Sequence, residues 1–186
     1  GVNLWGANDE FKNSSDLYSI RLQENISSNF NNYRDTILII DNNEKEVSSS
    51  VGHELMNEHP FSELRFSQAF ENISKLNLIL KSGNLHEFCL LVESEALTLH
   101  SLMMSSDPSY LLMKPETLTV IEEIQKFRKL SNIPICFTLD AGANVHVLYP
   151  DKNSHEVSEF IKNNLSNYCA NGRFIDDIIG KGPKQN

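Results

Sequence analysis

The chain has 186 residues, 40% of them apolar, enough for one substantial domain with a real core and too many for wholesale disorder. Its 25 acidic and 16 basic residues give a net charge of −9, which argues against a nucleic-acid backbone or an anionic membrane as main partner but leaves room for a local cationic pocket. No apolar run approaches the ~18 residues of a membrane span, no leader-like segment opens the chain, and the scattered Cys89, Cys136 and Cys169 read as reduced thiols of a cytoplasmic protein.

The segments "VNLWG" and "LYSIRL" read as short strands joined by the polar "ANDEFKNSSD". Residues 1–22 are therefore expected to be edge strands or the remnant of a preceding domain, with the domain proper at 23–186. "TILIID", Thr36 to Asp41, is a β-branched run and reads as a buried strand. Ser48, Ser49 and Ser50 stand before "VGHELMNEHP" as N-cap material for a helix that Pro60 ends.

Phe61, Leu64, Ala69, Ile73, Leu76 and Leu80 then recur at helical spacing, and the glycine of "KSGN" stops the pattern. Leu85, Cys89, Val92, Ala96, Leu99 and Met103 form a second stripe, so two long amphipathic helices are expected as an antiparallel hairpin, with Met103 and Met104 filling core gaps. Pro115 suits the first turn of a further helix, whose Leu118, Ile121, Ile124 and Phe127 should face inward. Its stretch "EIQKFRK" reads as a solvated face, with Lys126, Arg128 and Lys129 placed where the helix dipole favours cations. "IPICFTLD" and "NVHVLYP" read as strands, Val157 to Tyr168 as a helix and "RFIDDIIG" as a last strand. This order of elements suggests an α+β sandwich, one sheet with helices on one face.

Several residues could carry chemistry. Asp140 ends an apolar strand and precedes Ala141-Gly142-Ala143 and Asn144. A sheet can aim such a carboxylate into a cleft while the small residues let a ligand approach the backbone; an ordinary hairpin turn accounts for the same pattern. The hydroxyls and N–H groups at Ser48–Ser50 suit phosphate or carboxylate oxygens, or a plain helix cap. His100 lies in the second helix, either as a hydrogen-bonded core residue or as a base. No Cys/His cluster has metal-ligand spacing, so no metal site is expected.

The pieces "VSSSVGHELM", "EALTLHSLMM" and "FTLDAGANVHVLYP", in this order, resemble the C-terminal half of diphosphomevalonate decarboxylase of the GHMP kinase superfamily, its Bacteroidetes-type branch above all. The opening "LWG" and "SSDLY" resemble the segment after that family's catalytic serine loop, and the likeness runs from about Val2 to Pro183. The resemblance implies a GHMP-kinase C-terminal-type sandwich, mostly antiparallel sheet with helices packed on one face, including the long helical hairpin. It implies an ATP- and Mg2+-dependent decarboxylase that makes isopentenyl diphosphate in the mevalonate pathway. Asp140 would orient the tertiary hydroxyl of diphosphomevalonate and accept its proton. Ser49 would contact the substrate phosphates, with Ser50, Ala141 and Gly142 beside the substrate and His100 and Asn144 in support. Ser50 stands where many bacterial members have arginine, and Ala143 where the family has proline.

The family's ATP-binding glycine/serine loop and substrate lysine precede the matched segment. The resemblance therefore implies the C-terminal domain of a longer protein, inactive alone, with a homodimer left open. Ser50 also leaves open a related mevalonate-phosphate kinase or decarboxylase of altered specificity, or a non-catalytic interaction module.

Overall fold

The structure is a computed structural model that describes residues 2–22, 26–43 and 59–180. Near the start, β1 (Asn3–Leu4) and β2 (Ile20–Arg21) pair antiparallel as a small ribbon. The main sheet is antiparallel throughout, in the order β4-β5-β3-β6, and consists of β3 (Tyr33–Leu38), β4 (Cys136–Leu139), β5 (Val145–Pro150) and β6 (Phe174–Ile178). Strand β5 lies inside the sheet and alternates buried Val145, Val147 and Tyr149 with partly exposed His146 and Leu148, as a strand with unequal faces must. Register places Leu38 opposite Val145, and Val145 opposite Leu139, so one apolar row crosses three strands.

Among the described residues four α-helices pack against this sheet: α1 (Ser62–Ser82), α2 (Leu85–Ser105), α3 (Pro115–Ser131) and α4 (Ser154–Phe160), the last continuing through a π turn at Ile161–Leu165. The expected hairpin is α1 and α2. Its turn depends on Gly83, which holds φ 75° and lies so close to the N-terminal segment that a Cβ there would come within 2.3 Å of Ser27 Oγ. The largest apolar cluster fills the space between the sheet and α3 and α4, with Leu38, Phe137, Val145, Val147, Val120, Ile124, Val157 and Leu165 fully buried. Phe127 stacks on Phe160 at 4.0 Å between ring centres and closes that cluster. Burying each such side chain stabilises the fold by about 1.5–3 kcal/mol. A second cluster joins the hairpin to the sheet through Phe30, Tyr33, Ile79 and Leu80, backed by Phe88 and Leu148. The cysteines are free and buried, and folding brings Cys89 of α2 close to Cys136 of β4.

Some expected core positions are instead exposed. Leu118 is 50% exposed because the inward stripe of α3 is Thr117, Val120, Ile121 and Ile124, and Leu118 lies a third of a turn away from it. Phe61 and Leu64 are exposed as well. The inner face of α1 there is polar: Arg65 grips Glu95 of α2 through its two terminal guanidinium nitrogens at 3.1 and 2.6 Å, and buried Asn72 donates to the same carboxylate at 2.5 Å. Met103 is buried, but Met104 points outward. Arg128 does not belong to a solvated face. It forms a bidentate pair with buried Glu93 at 2.5 and 2.8 Å and donates to the Ile135 carbonyl at 2.7 Å, tying α2, α3 and the approach to β4 together. The helix expected after Ser48–Ser50 lies outside the described residues.

Candidate active site

Strand order brings three chain segments to one end of the sheet. There β4 ends at Leu139, β5 starts at its partner Val145, and β3 ends at Leu38 beside Val145. The connection Asp140–Asn144 therefore is a hairpin turn, as the plainer reading held, and it is also a loop fixed from three sides.

The first hold is on Asp140 itself. Its carbonyl oxygen accepts the N–H of Gly142 at 2.7 Å and lies 3.2 Å from His100 Nε2. A carbonyl can only accept, so Nε2 of His100 carries the proton. Only 2% of His100 is exposed, and burial lowers its pKa from the usual imidazole range, which favours that neutral form. The Asp140 main chain is thus tethered to α2 while the residue as a whole stays exposed at the strand tip. The second hold is on Ala143, whose carbonyl accepts the hydroxyl of fully buried Thr117 at 2.7 Å. The third is Asn144, whose Oδ1 takes the N–H groups of Ile40 and Asp41 at 2.9 and 3.0 Å and so fastens the loop to the end of β3.

These contacts place the sequence-derived residues. Asp140, Ala141, Gly142, Asn144 and His100 gather at one corner of the sheet. The Gly142 N–H, read from sequence as open to a ligand, is engaged within the loop by Asp140. Ser49 and Ser50 lie outside the described residues. Sequence reasoning missed Thr117, Asp41 and Lys114. Asp41 and Lys114 form an ion pair beside the loop, and the ammonium and the Asn43 N–H hold the Asp41 carboxyl below its usual range. The available signal for Thr117 was its spacing, one and two helical turns before Ile121 and Ile124, both expected to face inward.

Among the described residues no group of three or more His, Cys, Asp or Glu side chains could hold a metal ion. Among the described residues Gly6, Gly83, Gly142 and Gly172 are widely separated along the chain and Gly180 lies at the end of the described part, so they form no glycine-rich loop of the kind that cradles a triphosphate. What this corner offers is a carboxylate on a rigid strand tip, with its main chain fixed by neutral donors.

Comparison with known proteins decides the family. Residues 36–181 match the family model described as mevalonate 5-diphosphate decarboxylase C-terminal domain. The chain belongs to that family. Mevalonate diphosphate decarboxylase from Staphylococcus aureus has the same fold with a TM-score of 0.76 at 23% identity, covering 89% of this chain and 48% of that one. The Enterococcus faecalis enzyme, described in terms of mevalonate diphosphate-mediated ATP binding, aligns with a TM-score of 0.71 at 20% identity over 86% of this chain and 46% of that one. A curated phosphomevalonate decarboxylase from Haloferax volcanii is 23% identical over 108 residues, 58% of this chain and 33% of that protein. The chain thus spans about a third of the curated relative and about half of each solved structure. Its mostly antiparallel sheet with packed helices is the fold of this decarboxylase C-terminal domain. Among the described residues no helix is long and apolar enough to cross a membrane.

Proposed function

We propose that this chain is the C-terminal domain of an ATP-dependent diphosphomevalonate decarboxylase and forms one wall of its active site. The observation that carries the reading is Asp140, exposed at the tip of β4 while His100 and Gly142 fix its main chain. A carboxylate so held can accept a hydrogen bond from a tertiary hydroxyl, orient its oxygen for attack and take its proton as the phosphoryl group arrives. Phosphorylation makes that oxygen a leaving group, and loss of phosphate with carbon dioxide leaves isopentenyl diphosphate. Asn144 and His100 position the loop, Ala141 and Gly142 leave space beside the carboxylate, and Ser49 with Ser50 meets the substrate phosphates.

ATP, the phosphoryl donor, and its Mg2+ do not fit the described residues, which lack both a phosphate cradle and a metal-ligand cluster. In this reading a preceding domain holds them, residues 1–22 lie at the boundary with it, and the 186 residues alone neither bind ATP tightly nor decarboxylate. The test is carbon dioxide release and product analysis for the complete gene product and for the 186-residue chain. Each is given ATP with mevalonate, its 5-phosphate or its 5-diphosphate. The reading expects turnover of the 5-diphosphate by the complete product alone; turnover by the short chain, or no turnover of any substrate by the complete product, contradicts it. The Haloferax relative, a phosphomevalonate decarboxylase, favours one second reading: the same chemistry on the 5-monophosphate. The same product analysis separates the two.

A further inference from the structure

An ion pair that the mechanism leaves unused closes a ring around the Asp140 loop. Asp41 follows β3, Lys114 directly precedes α3, and the Lys114 ammonium pairs with Asp41 Oδ2. Both partners are also tied to the loop through their backbones. The Asp41 N–H donates to Asn144 Oδ1 at 3.0 Å, while the Lys114 N–H donates to Thr117 Oγ1 at 3.1 Å, and that hydroxyl donates to the Ala143 carbonyl at 2.7 Å. The cation is therefore held at the rim of the loop, on backbone that cannot shift without moving the loop too.

Its surroundings differ from those of the other firmly paired cations. Arg128 and Arg65 have side chains only 17% and 14% exposed, and each is locked in a bidentate pair between helices. Arg34 pairs with Asp151 at the opposite end of β3. The Lys114 side chain is 47% exposed, and its ammonium sits on a flexible stem. A pair this exposed is weak, so an incoming anionic oxygen can displace the Asp41 carboxylate.

We propose that Lys114 is an anion-binding residue of this site. Asp41 parks its ammonium when no ligand is present, and an anionic substrate oxygen takes the place of Asp41 on binding. This deepens the functional reading above and rests on it for the identity of the substrate. The chemistry recognised is an anionic oxygen, which in a diphosphorylated hydroxy acid can come from the diphosphate or from the carboxylate.

The experiment is calorimetric binding of two probes, inorganic pyrophosphate and mevalonate, to the complete gene product and its variants, with thermal melts to check folding. Lys114→Gln should weaken one probe about tenfold or more, the size expected for losing a charge-assisted contact, and Lys114→Arg should restore most of it. Loss with pyrophosphate assigns the diphosphate as the group bound, and loss with mevalonate assigns the carboxylate. Asp41→Asn, which removes the competitor, should tighten the same probe, whereas Arg34→Gln should change neither. If the pair is structural only, Lys114→Gln and Asp41→Asn lower the melting temperature alike and move affinity in the same direction or not at all. That result, or a wild type that binds neither probe, overturns the proposal. Turnover of diphosphomevalonate by the same samples reports separately on the functional reading.

Discussion

Thr117→Val isolates one hydrogen bond that shapes the Asp140 loop. The side chain is fully buried, and its hydroxyl donates to the Ala143 carbonyl and accepts the Lys114 N–H. Valine keeps shape and β-branching, so neither a cavity nor a change in helix preference confuses the result. The Ala143 carbonyl then loses its donor in a buried setting, which costs about 1–3 kcal/mol, while the exposed Lys114 backbone can turn to water. Thr117→Ser keeps the hydroxyl and loses one methyl, about 1 kcal/mol. The valine variant should therefore be the less stable, with a total loss near 2 kcal/mol and a melting temperature lower by about 4–8 °C for a chain of this size. Urea and thermal unfolding of the three proteins measure this directly. A valine variant as stable as the serine variant would refute the role given to the hydroxyl.

Three further outcomes follow from the same geometry. Burial lowers the His100 pKa, so the unfolded chain binds a proton more readily; the stability tied to neutral His100 is complete above the unfolded imidazole value of about 6.5 and declines as pH falls through the lower folded value. Urea melts between pH 8 and 5 should show a steeper acid loss for the wild type than for His100→Gln, and equal slopes would contradict the assignment. Arg128→Met leaves the Glu93 carboxylate buried without its partner and should cost about 3–5 kcal/mol by denaturant unfolding, whereas adding Glu93→Leu should recover much of it. In the complete gene product, Asp140→Asn should lower kcat by about a hundredfold or more and change KM only a few-fold, as read by steady-state release of carbon dioxide.

Elements that one chain segment specifies were legible from sequence. The hairpin followed from two apolar stripes and Gly83, the start of α3 from Pro115, and β5 from the alternation Val145, Val147, Tyr149. Tertiary pairing was hidden. Arg128 looked like a dipole-favoured surface cation because nothing local announces Glu93, 35 positions away on another helix. Leu118 looked inward because the apolar count alone favours it over Thr117, and only the Ala143 carbonyl explains why a hydroxyl is buried there. Phe61 and Leu64 fitted the α1 stripe by spacing, yet the face that meets α2 is set by Arg65 and Asn72 reaching one glutamate.

The candidate site divides in the same way. Asp140 and its small neighbours could be marked because strand, carboxylate and glycine are consecutive in the chain. Asp41 and Thr117 could not, since they come from the end of β3 and from α3 and meet the loop only when β3, β4 and β5 take their register. His100 and Asn144 were picked out without their partners. His100 reaches the Asp140 backbone as a neutral donor, and Asn144 fastens β3 rather than facing a ligand through Oδ1.

Rapid-quench measurement of the first turnover tests most directly whether Asp140 acts on the hydroxyl. With the complete gene product saturated in ATP and diphosphomevalonate, Asp140→Asn should slow formation of the phosphorylated intermediate and of carbon dioxide together, with substrate affinity nearly kept. First-turnover rates equal to the wild type would contradict the account.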